Sequence, residues 1–231
     1  MACRSSTTRS TPWCANVSTP NSKCPAPATQ KKSEAVAAFQ ATCADQLRAA
    51  IPHGTMRPVQ VFSQDESRFG LLTVRRRCLT ACGVQPIGTI QHVFQWFYVY
   101  GAVAPTSGAS FFLELPSLNS AMFQLFLDEL AQAYPTSLNV VVLDKSGGHT
   151  ANRLVVPENV RLVLLPPASP DLNPIERVWR DLKDELAWLQ FPDVASQQAY
   201  VTDLLRAYDA PTLQSLTSYQ YLVDAIHALS V

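Results

Sequence analysis

Short apolar runs separated by polar turns fill the middle of the chain and predict a sheet. The stretch "RPVQVFSQDESRFGLL" predicts a strand that runs into a turn. The stretch "HVFQWFYVYGAVAPTSGASFFLELP" predicts two strands joined by a Pro/Ser/Gly turn, because aromatic and β-branched residues dominate it. "LNVVVLDKSGGH" and "NVRLVLLPP" are continuous apolar runs, which are typical of strands buried on both faces. "GLLTVRRRCLTACG" is a further candidate strand, although an arginine run is unusual in one.

Apolar residues at helical spacing predict helices on both sides of these strands. Residues 31–50 predict a helix, and "SLNSAMFQLFLDELAQAY" predicts an amphipathic helix capped by Asn119 or Ser120. "LPPASPDLNPIERVWRDLK" puts four prolines before another helix, and residues 194–229 form a last helical region. The apolar stripe after the prolines consists of Ile175, Val178, Trp179, Leu182, Leu186 and Leu189. The order of elements predicts an α/β domain with antiparallel strands first and βα units after them.

Composition and charge narrow the class of protein. The chain has 231 residues, of which 47% are hydrophobic and 16% charged, so it can bury a substantial core. Residues 1–33 are rich in Ser, Thr and Pro, carry no acid and show no periodicity, which predicts a disordered arm. The rest of the chain is therefore net acidic. No apolar run is long enough for a membrane helix, and the N-terminus lacks a secretory signal, so we expect a cytoplasmic protein. The six cysteines form no framework and are interpreted as reduced thiols.

Two acids fall on predicted strands. Asp144 ends the run "VVVLD", and ligands of open α/β sheets gather at the carboxyl ends of strands. We expect water to be scarce there, although Asp144 is equally suited to start the turn "KSGGH". Strand alternation puts Asp65 on one face with Val59, Val61 and Ser63, and puts Glu66 on a solvent-facing side. The alternative for Asp65 is a salt bridge to Arg68 or to the run 75–77.

A third acid, Glu176, opens the helix after the prolines. Asn173 suits the N-cap and Pro174 the first helical position, which would leave Glu176 to close a capping box. From the first turn of the helix, Glu176 also reaches past the helix end toward the sheet. Three converging carboxylates repel one another unless cations bind them. Two divalent ions would resolve that repulsion and would suit in-line phosphoryl displacement, so capping and metal binding both stay open.

Three segments, taken in order, resemble the catalytic domain of mariner-like bacterial insertion-sequence transposases of the DDE superfamily. They are "QDESRFGL" (64–71), "VVLDKSGGHTA" (141–151) and "LPPASPDLNPIERVWRDLK" (165–183). The resemblance implies a ribonuclease-H-like mixed sheet flanked by helices. It implies a disordered arm at 1–33, a linking helix at 34–54, the DDE catalytic domain at 55–192 and a helical extension at 193–231.

The same resemblance implies metal-dependent DNA transposition. Asp65, Asp144 and Glu176 match the catalytic acids, which bind two Mg²⁺ (or Mn²⁺) ions. Such enzymes hydrolyse a phosphodiester at the transposon end, and the freed 3′ hydroxyl then attacks target DNA, commonly at TA. His149 matches a histidine that follows the second acid and is expected to contact phosphate or to support the metal ligands. Lys145 stands where the family usually has Asn, so it adds a cation beside the metal site that would either compete with a metal or contact phosphate.

DNA contacts and partners are less constrained by the motifs. Arg68, Arg75, Arg76 and Arg77 are candidate phosphate contacts, and a solvated surface turn is the alternative for the run 75–77. The family places helix-turn-helix modules before the catalytic domain, and residues 1–33 resemble no such module. We therefore expect a homodimer or an upstream helix-turn-helix chain as partner, at the nucleoid. The alternatives to a transposase are an inactive remnant that binds DNA or intact transposase, and another nuclease of the same fold.

Overall fold

The computed structural model describes residues 27–76, 82, 87–145 and 154–229, without the side chains of 27–32. The helices of the described ranges are α1 (Pro27–Ala50), α2 (Ser120–Ala133), α3 (Glu176–Glu185), α4 (Val194–Ala207), α5 (Ala210–Thr217) and α6 (Gln220–His227), with a 3₁₀ turn at Pro170–Leu172. The strands are β1 (Val59–Gly70), β2 (Trp96–Val103), β3 (Ser110–Leu115), β4 (Leu138–Leu143) and β5 (Val160–Leu164). None of the described helices has the length and apolarity needed to cross a bilayer.

The five strands form one mixed sheet in the order β3-β2-β1-β4-β5. The first three strands in sequence pair antiparallel, and β1, β4 and β5 pair parallel. This confirms the prediction of antiparallel strands followed by βα units. The central strand β1 pairs on both sides, and β4 is buried along its whole length, as its continuous apolar run predicts.

Helix α2 covers one face of the sheet. Its apolar stripe, Phe123, Phe126, Leu127 and Leu130, is fully buried against Phe62 of β1 and the inward residues of β2 to β5. Asn119 is the N-cap, because its side chain accepts a hydrogen bond from the backbone N–H of Met122 at 3.0 Å. Asn119 rather than Ser120 is the cap because its backbone is extended. This conformation lets the side-chain amide oxygen of Asn119 reach the first turn of the helix.

The other helices cover the opposite face in two groups. Helices α1 and α6 pack on β1, β4 and β5, where Phe39, Cys43 and Leu47 of α1 are buried. Helices α3, α4 and α5 pack on β1 and β2 around Trp179. Helix α1 begins at Pro27 and so includes part of the predicted arm, while residues 1–26 lie outside the described ranges. The predicted linking helix thus belongs to the layer of helices that packs on this face of the sheet. The helical region after residue 193 packs on the domain as expected.

Two local predictions were wrong. The candidate strand in "GLLTVRRRCLTACG" is absent from its described part, where Val74 makes only an isolated bridge to Ala187. The backbone N–H of Trp188 donates to the carbonyl of Val74 at 3.0 Å, which ties this segment to the end of α3 rather than to the sheet. Leu189 was predicted in the buried stripe of α3, yet it is 39% exposed because the helix has already ended at Glu185.

We predict that Leu47→Ala lowers the free energy of unfolding by about 2–5 kcal/mol, because it opens a cavity between α1 and the sheet. Leu47 is completely buried in the core shared with β1 and β4. The measurement is urea unfolding of the purified chain. Gln40→Ala, at an exposed position of the same helix, is the matched control and should change stability little. Equal effects of the two substitutions would show that α1 is a loosely attached linker.

Candidate active site

The register of two parallel strands aligns two acids at one end of the sheet. Strand β1 pairs with β4 through Val61 opposite Val140 and Ser63 opposite Val142. Continuing this register by two residues puts Asp65 beside Asp144, directly after β4 ends at Leu143. Neighbouring strands lie only about 4.8 Å apart, so the two side chains start from adjacent backbone positions. Asp65 lies on the sheet face that α3 covers.

Asp65 is held by a tryptophan that occupies the space above a glycine. The indole Nε1–H of Trp179 in α3 donates to Oδ2 of Asp65 at 3.0 Å. Gly101 of β2 lies opposite Asp65 in the antiparallel pair, and a Cβ on Gly101 would come within 2.7 Å of the Trp179 ring. The ring also makes edge contacts with Phe69 and Phe112, at centroid distances of 6.3 and 6.1 Å. The absence of a side chain at Gly101 therefore lets Trp179 reach the carboxylate.

Burial and neighbouring acids raise the pKa of Asp65 from 3.8 to about 8. Burial is the largest cause, followed by the charge of Glu66 and then those of Glu176 and Asp144. The alternative considered for Asp65, a salt bridge to Arg68, is not formed, and the Arg68 guanidinium instead lies 5.4 Å from the centroid of the Trp96 ring. Glu66, predicted to face solvent, is half-buried and accepts a hydrogen bond from Nε2 of Gln64 at 3.0 Å.

Asp144 and Lys145 lie at the open edge of this site. Both residues are exposed, so the prediction that water is scarce around Asp144 was wrong. The reason is that β4 stops at Leu143, and the chain leaves the sheet one residue before the acid. The charge of Asp144 still acts on both other acids, because it raises the pKa of Asp65 and of Glu176. His149 lies outside the described residues.

The segment before Glu176 is held by side chains from other elements. Asn173, 2% exposed, donates from Nδ2 to the backbone carbonyl of Gln64 at 2.8 Å, one residue before Asp65. No side-chain hydrogen bond caps the start of α3, so the predicted capping box was wrong. Asn173 joins the helix entrance to β1 instead. The helix opens with a tight turn in which the N–H of Glu176 donates to the carbonyl of Asn173 at 3.2 Å.

Glu176 lies within electrostatic reach of the other two acids and of a lysine on its own helix. Burial raises the pKa of Glu176, Lys183 lowers it, and Asp144 raises it. The half-buried Lys183 lies about two turns further along α3, with Nζ 5.7 Å from the centroid of the Phe69 ring. Burial lowers the pKa of Lys183, whereas the charges of Glu176 and Asp65 raise it. One cation therefore lies within electrostatic reach of two of the three acids.

Only some of the candidate DNA-contacting arginines lie near the three acids. Arg75 and Arg76 are exposed and follow the bridge at Val74 rather than forming a strand. Arg76 makes an ion pair with Asp184 of α3 through Nε. Arg68 and Arg76 both lie close enough to Lys183 to lower its pKa, so these three cations border the acids on one side. Arg77 lies outside the described residues.

The acids fit a divalent cation in their chemistry. In the described ranges, no group of three or more His, Cys, Asp or Glu side chains is already drawn together as a metal cage. The donors are nevertheless hard oxygens, which Mg²⁺ and Mn²⁺ prefer, and the carboxylates raise one another's pKa as an uncompensated cluster does. Ser63 and Asn173, next to this cluster, each bury a side-chain oxygen that has no hydrogen-bond partner in the described part of the chain. The site is therefore rich in oxygen donors and poor in neutralising charge.

Comparison with known proteins identifies the family of the chain. Residues 60–197, more than half of the chain, match the model of the DDE superfamily endonuclease family. The match begins in β1 and contains all three acids. The chain belongs to the DDE superfamily endonucleases. An uncharacterized protein of Sinorhizobium fredii (strain NBRC 101917 / NGR234), y4pE/y4sA, is 39% identical over 95 residues, which are 41% of this chain and 69% of that protein.

The fold is ribonuclease-H-like, as it is in Mos1 mariner transposase. The catalytic domain of Mos1 superposes with a TM-score of 0.52 at 14% identity, covering 85% of this chain and 93% of that domain. The Mos1 paired-end complex with its left transposon end superposes with a TM-score of 0.57 at 16% identity, covering 85% of this chain. The DDE chain described here spans 62% of the length of that Mos1 chain.

Three features of the site were missed by the sequence reasoning. Trp179 was interpreted only as core, Asn173 only as a cap, and Lys183 was given no role. Helical spacing offered a signal for the lysine, because residues one and two turns after Glu176 lie near its side of α3. The contacts of Trp179 and Asn173 with β1 join positions more than a hundred residues apart, and no local pattern indicates them.

We predict that Asp65→Asn stabilises the metal-free protein increasingly as the pH rises from 4 to 8. The folded chain keeps a proton on Asp65 up to a pKa of about 8, whereas the unfolded chain releases it near 3.8. The stability contributed by this group is present below the lower value and is lost as the pH rises through the higher one, on the order of 2–4 kcal/mol. Asparagine does not titrate, so the Asp65→Asn variant does not lose stability in this way.

The measurement is urea unfolding in a chelator at several pH values, with Asp203→Asn as the matched control. Asp203 is exposed on α4, away from the three acids, so its substitution should leave the pH dependence close to that of the parent. A difference between Asp65→Asn and the parent that is constant across this pH range would contradict the assignment.

Proposed function

We propose that this chain is the catalytic domain of a DNA transposase that cleaves and joins strands with two divalent cations, Mg²⁺ or Mn²⁺. The observation that supports the proposal is that Asp65, Asp144 and Glu176 lie within electrostatic reach of one another. Two of these acids are aligned by the β1–β4 register, and the third is the first residue of α3. Each of the other two raises the pKa of Asp65, which supports a shared site.

The three carboxylates would hold the cations. Two such ions, when bound, stabilise the attacking and the leaving oxygen of an in-line phosphoryl displacement. Trp179 occupies Oδ2 of Asp65 with its indole N–H and so orients the carboxylate, with Oδ1 directed away from that contact. Exposed Asp144 lies at the mouth of the site, where DNA would enter. The partly buried Glu176 approaches from the helix side.

The cations of the chain suit a DNA phosphate at the same place. Lys183 lies near Glu176 and Asp65, and Arg68 and Arg76 lie near Lys183. Phosphate contacts of this kind position a nucleic acid without reading its sequence. Mos1 has been seen in complex with a transposon end, which supports transposon ends as one substrate of this chain. Target DNA, with TA as the expected site, would be the second substrate. A homodimer or an upstream helix-turn-helix chain would supply end recognition, at the nucleoid.

The role of this centre can be tested by DNA cleavage. The substrate is a duplex that carries the inverted repeats flanking the coding sequence, incubated with Mg²⁺ or with Mn²⁺. The parent should cut at the repeat end, and Asp144→Asn should lower the rate by about 10³-fold or more, because losing a metal ligand removes several kcal/mol of transition-state stabilisation.

The matched control is Asp203→Asn, which makes the same change at an exposed position of α4. It should cut like the parent. Cleavage by Asp144→Asn at the parental rate would refute the metal assignment. A parent that binds the duplex but never cuts it would favour the second candidate, an inactive remnant, for which exposed Lys145 beside Asp144 is the specific observation.

We predict that Lys145→Asn lowers the Mn²⁺ concentration needed for half-maximal cleavage several-fold. The substitution removes a cation that competes with the metal next to Asp144. The measurement is the cleavage rate as a function of Mn²⁺ concentration, at one salt concentration, since surface charge effects are screened by salt. Arg161→Asn, a loss of one positive charge at the far end of β5, is the control. An unchanged requirement in Lys145→Asn would remove the lysine as an obstacle to activity.

A further inference from the structure

The start of α6 contacts the segment that delivers Glu176. The hydroxyl of Tyr221, in the first turn of α6, donates to the backbone carbonyl of Leu172 at 2.5 Å. Leu172 ends the 3₁₀ turn and is 1% exposed, whereas Tyr221 is half-buried, so this bond is partly shielded from solvent. The Tyr221 ring is itself held edge-on by Phe39 of α1, with the ring centroids 6.3 Å apart.

A second tyrosine at the same place contacts the residue after Glu176. Tyr219, which precedes α6, lies under the guanidinium of Arg177, with Cζ 4.6 Å from the ring centroid. The rings of Tyr219 and Tyr221 lie 6.4 Å apart in an edge-on pair. The two tyrosines therefore contact the chain on both sides of Glu176, at Leu172 and at Arg177.

The segment they contact is short of backbone hydrogen-bond donors. Four of its residues, Pro166, Pro167, Pro170 and Pro174, have no backbone N–H to donate. Its remaining N–H groups close short turns within the segment, and side-chain bonds join those turns to the rest of the domain. Asn173 supplies one to β1, through the carbonyl of Gln64, and Tyr221 supplies one from α6. The segment is thus clamped between the central strand and the C-terminal helices.

We propose that Tyr219 and Tyr221 are positioning residues of the active site, which fix the 172–177 segment and thereby the place of the Glu176 carboxylate between the cations. This inference rests on the proposed function. It assigns a role to α6, which lies beyond the stretch that matches the family. A metal site tolerates little displacement of a ligand, so a loosened segment would weaken metal binding before it unfolded the domain.

The experiment compares Tyr221→Phe with the parent by Mn²⁺ binding and by DNA cleavage. Phenylalanine keeps the ring contact with Phe39 and removes only the hydroxyl that bonds to Leu172. Free Mn²⁺ is followed by electron paramagnetic resonance in the absence of DNA. We expect the Kd for Mn²⁺ to rise about tenfold or more, as it does when a group that orients a metal ligand is lost. The Mn²⁺ dependence of cleavage should shift by the same factor, and duplex binding should be unchanged.

Tyr208→Phe is the matched control, because the Tyr208 hydroxyl donates to Oδ2 of Asp181 in α3 at 2.5 Å. It also removes one partly buried tyrosine hydroxyl bond of that length, but one that lies away from the 172–177 segment. Both variants should lose similar thermal stability, and only Tyr221→Phe should lose Mn²⁺ affinity. Equal losses of Mn²⁺ affinity in the two variants, or parental affinity in Tyr221→Phe, would overturn the inference.

Tyr219→Leu provides a second test that does not depend on the folding of Tyr221→Phe. It removes the ring under Arg177 without changing any charge, and it should raise the Kd for Mn²⁺ in the same direction. If Tyr221→Phe does not fold, the test rests on Tyr219→Leu alone. A parental Mn²⁺ affinity in Tyr219→Leu would then overturn the inference. Failure of the proposed function is distinct from either result, because the parent itself would then neither bind Mn²⁺ nor cut DNA.

Discussion

The contact on which the candidate site depends is that of Trp179 with Asp65, made in the space that Gly101 leaves open. One indole joins α3 to the central strand by packing against Phe69 and Phe112 and by donating a hydrogen bond to Oδ2 of Asp65. A buried carboxylate without a donor would be costly, and a buried indole N–H without an acceptor would be too. Each group satisfies the other, so the helix that carries Glu176 is docked at the same point as the strand that carries Asp65.

The second constraint is the repulsion among the acids. Asp65, Asp144 and Glu176 lie within electrostatic reach of one another, and Lys183 lies within reach of Asp65 and Glu176. Burial first, and then the neighbouring acids, keep the proton on Asp65 to an unusually high pH. Binding of divalent ions would reverse that shift, since a cation favours the ionised carboxylate. Metal binding is then coupled to the loss of protons and to the stability of the domain.

The proline-rich segment has a different role in the folded chain from the one its sequence indicates. From the sequence, its prolines and Asn173 look like a device for starting a helix. In the structure, Asn173 bonds to β1, Leu172 accepts from Tyr221, and Glu176 is free of capping. The prolines remove backbone donors, so the segment is positioned by its surroundings. The C-terminal helices thereby become part of the structure that supports the site.

The strands, the order of elements and the face of Asp65 were predictable because hydrophobic periodicity is local. Strand alternation places Asp65 with Val61, and the buried strand before Asp144 places that acid at a carboxyl end. The exposure of Asp144 and the lost capping box depend on where pairing stops and on which distant group competes for Asn173. The roles of Gly101 and Tyr221 depend on contacts between segments far apart in the chain, which a single sequence does not reveal.

The most direct test of this account is anomalous diffraction from crystals of the chain soaked or grown in Mn²⁺. The account predicts strong anomalous peaks within coordination distance, about 2.0–2.6 Å, of carboxylate oxygens of Asp65, Asp144 and Glu176. It also predicts that crystals of Glu176→Gln lose at least one of these peaks while the backbone stays in place. Peaks only at other acids, or no peaks among these three at saturating Mn²⁺, would contradict the claim that the fold assembles them into a metal centre.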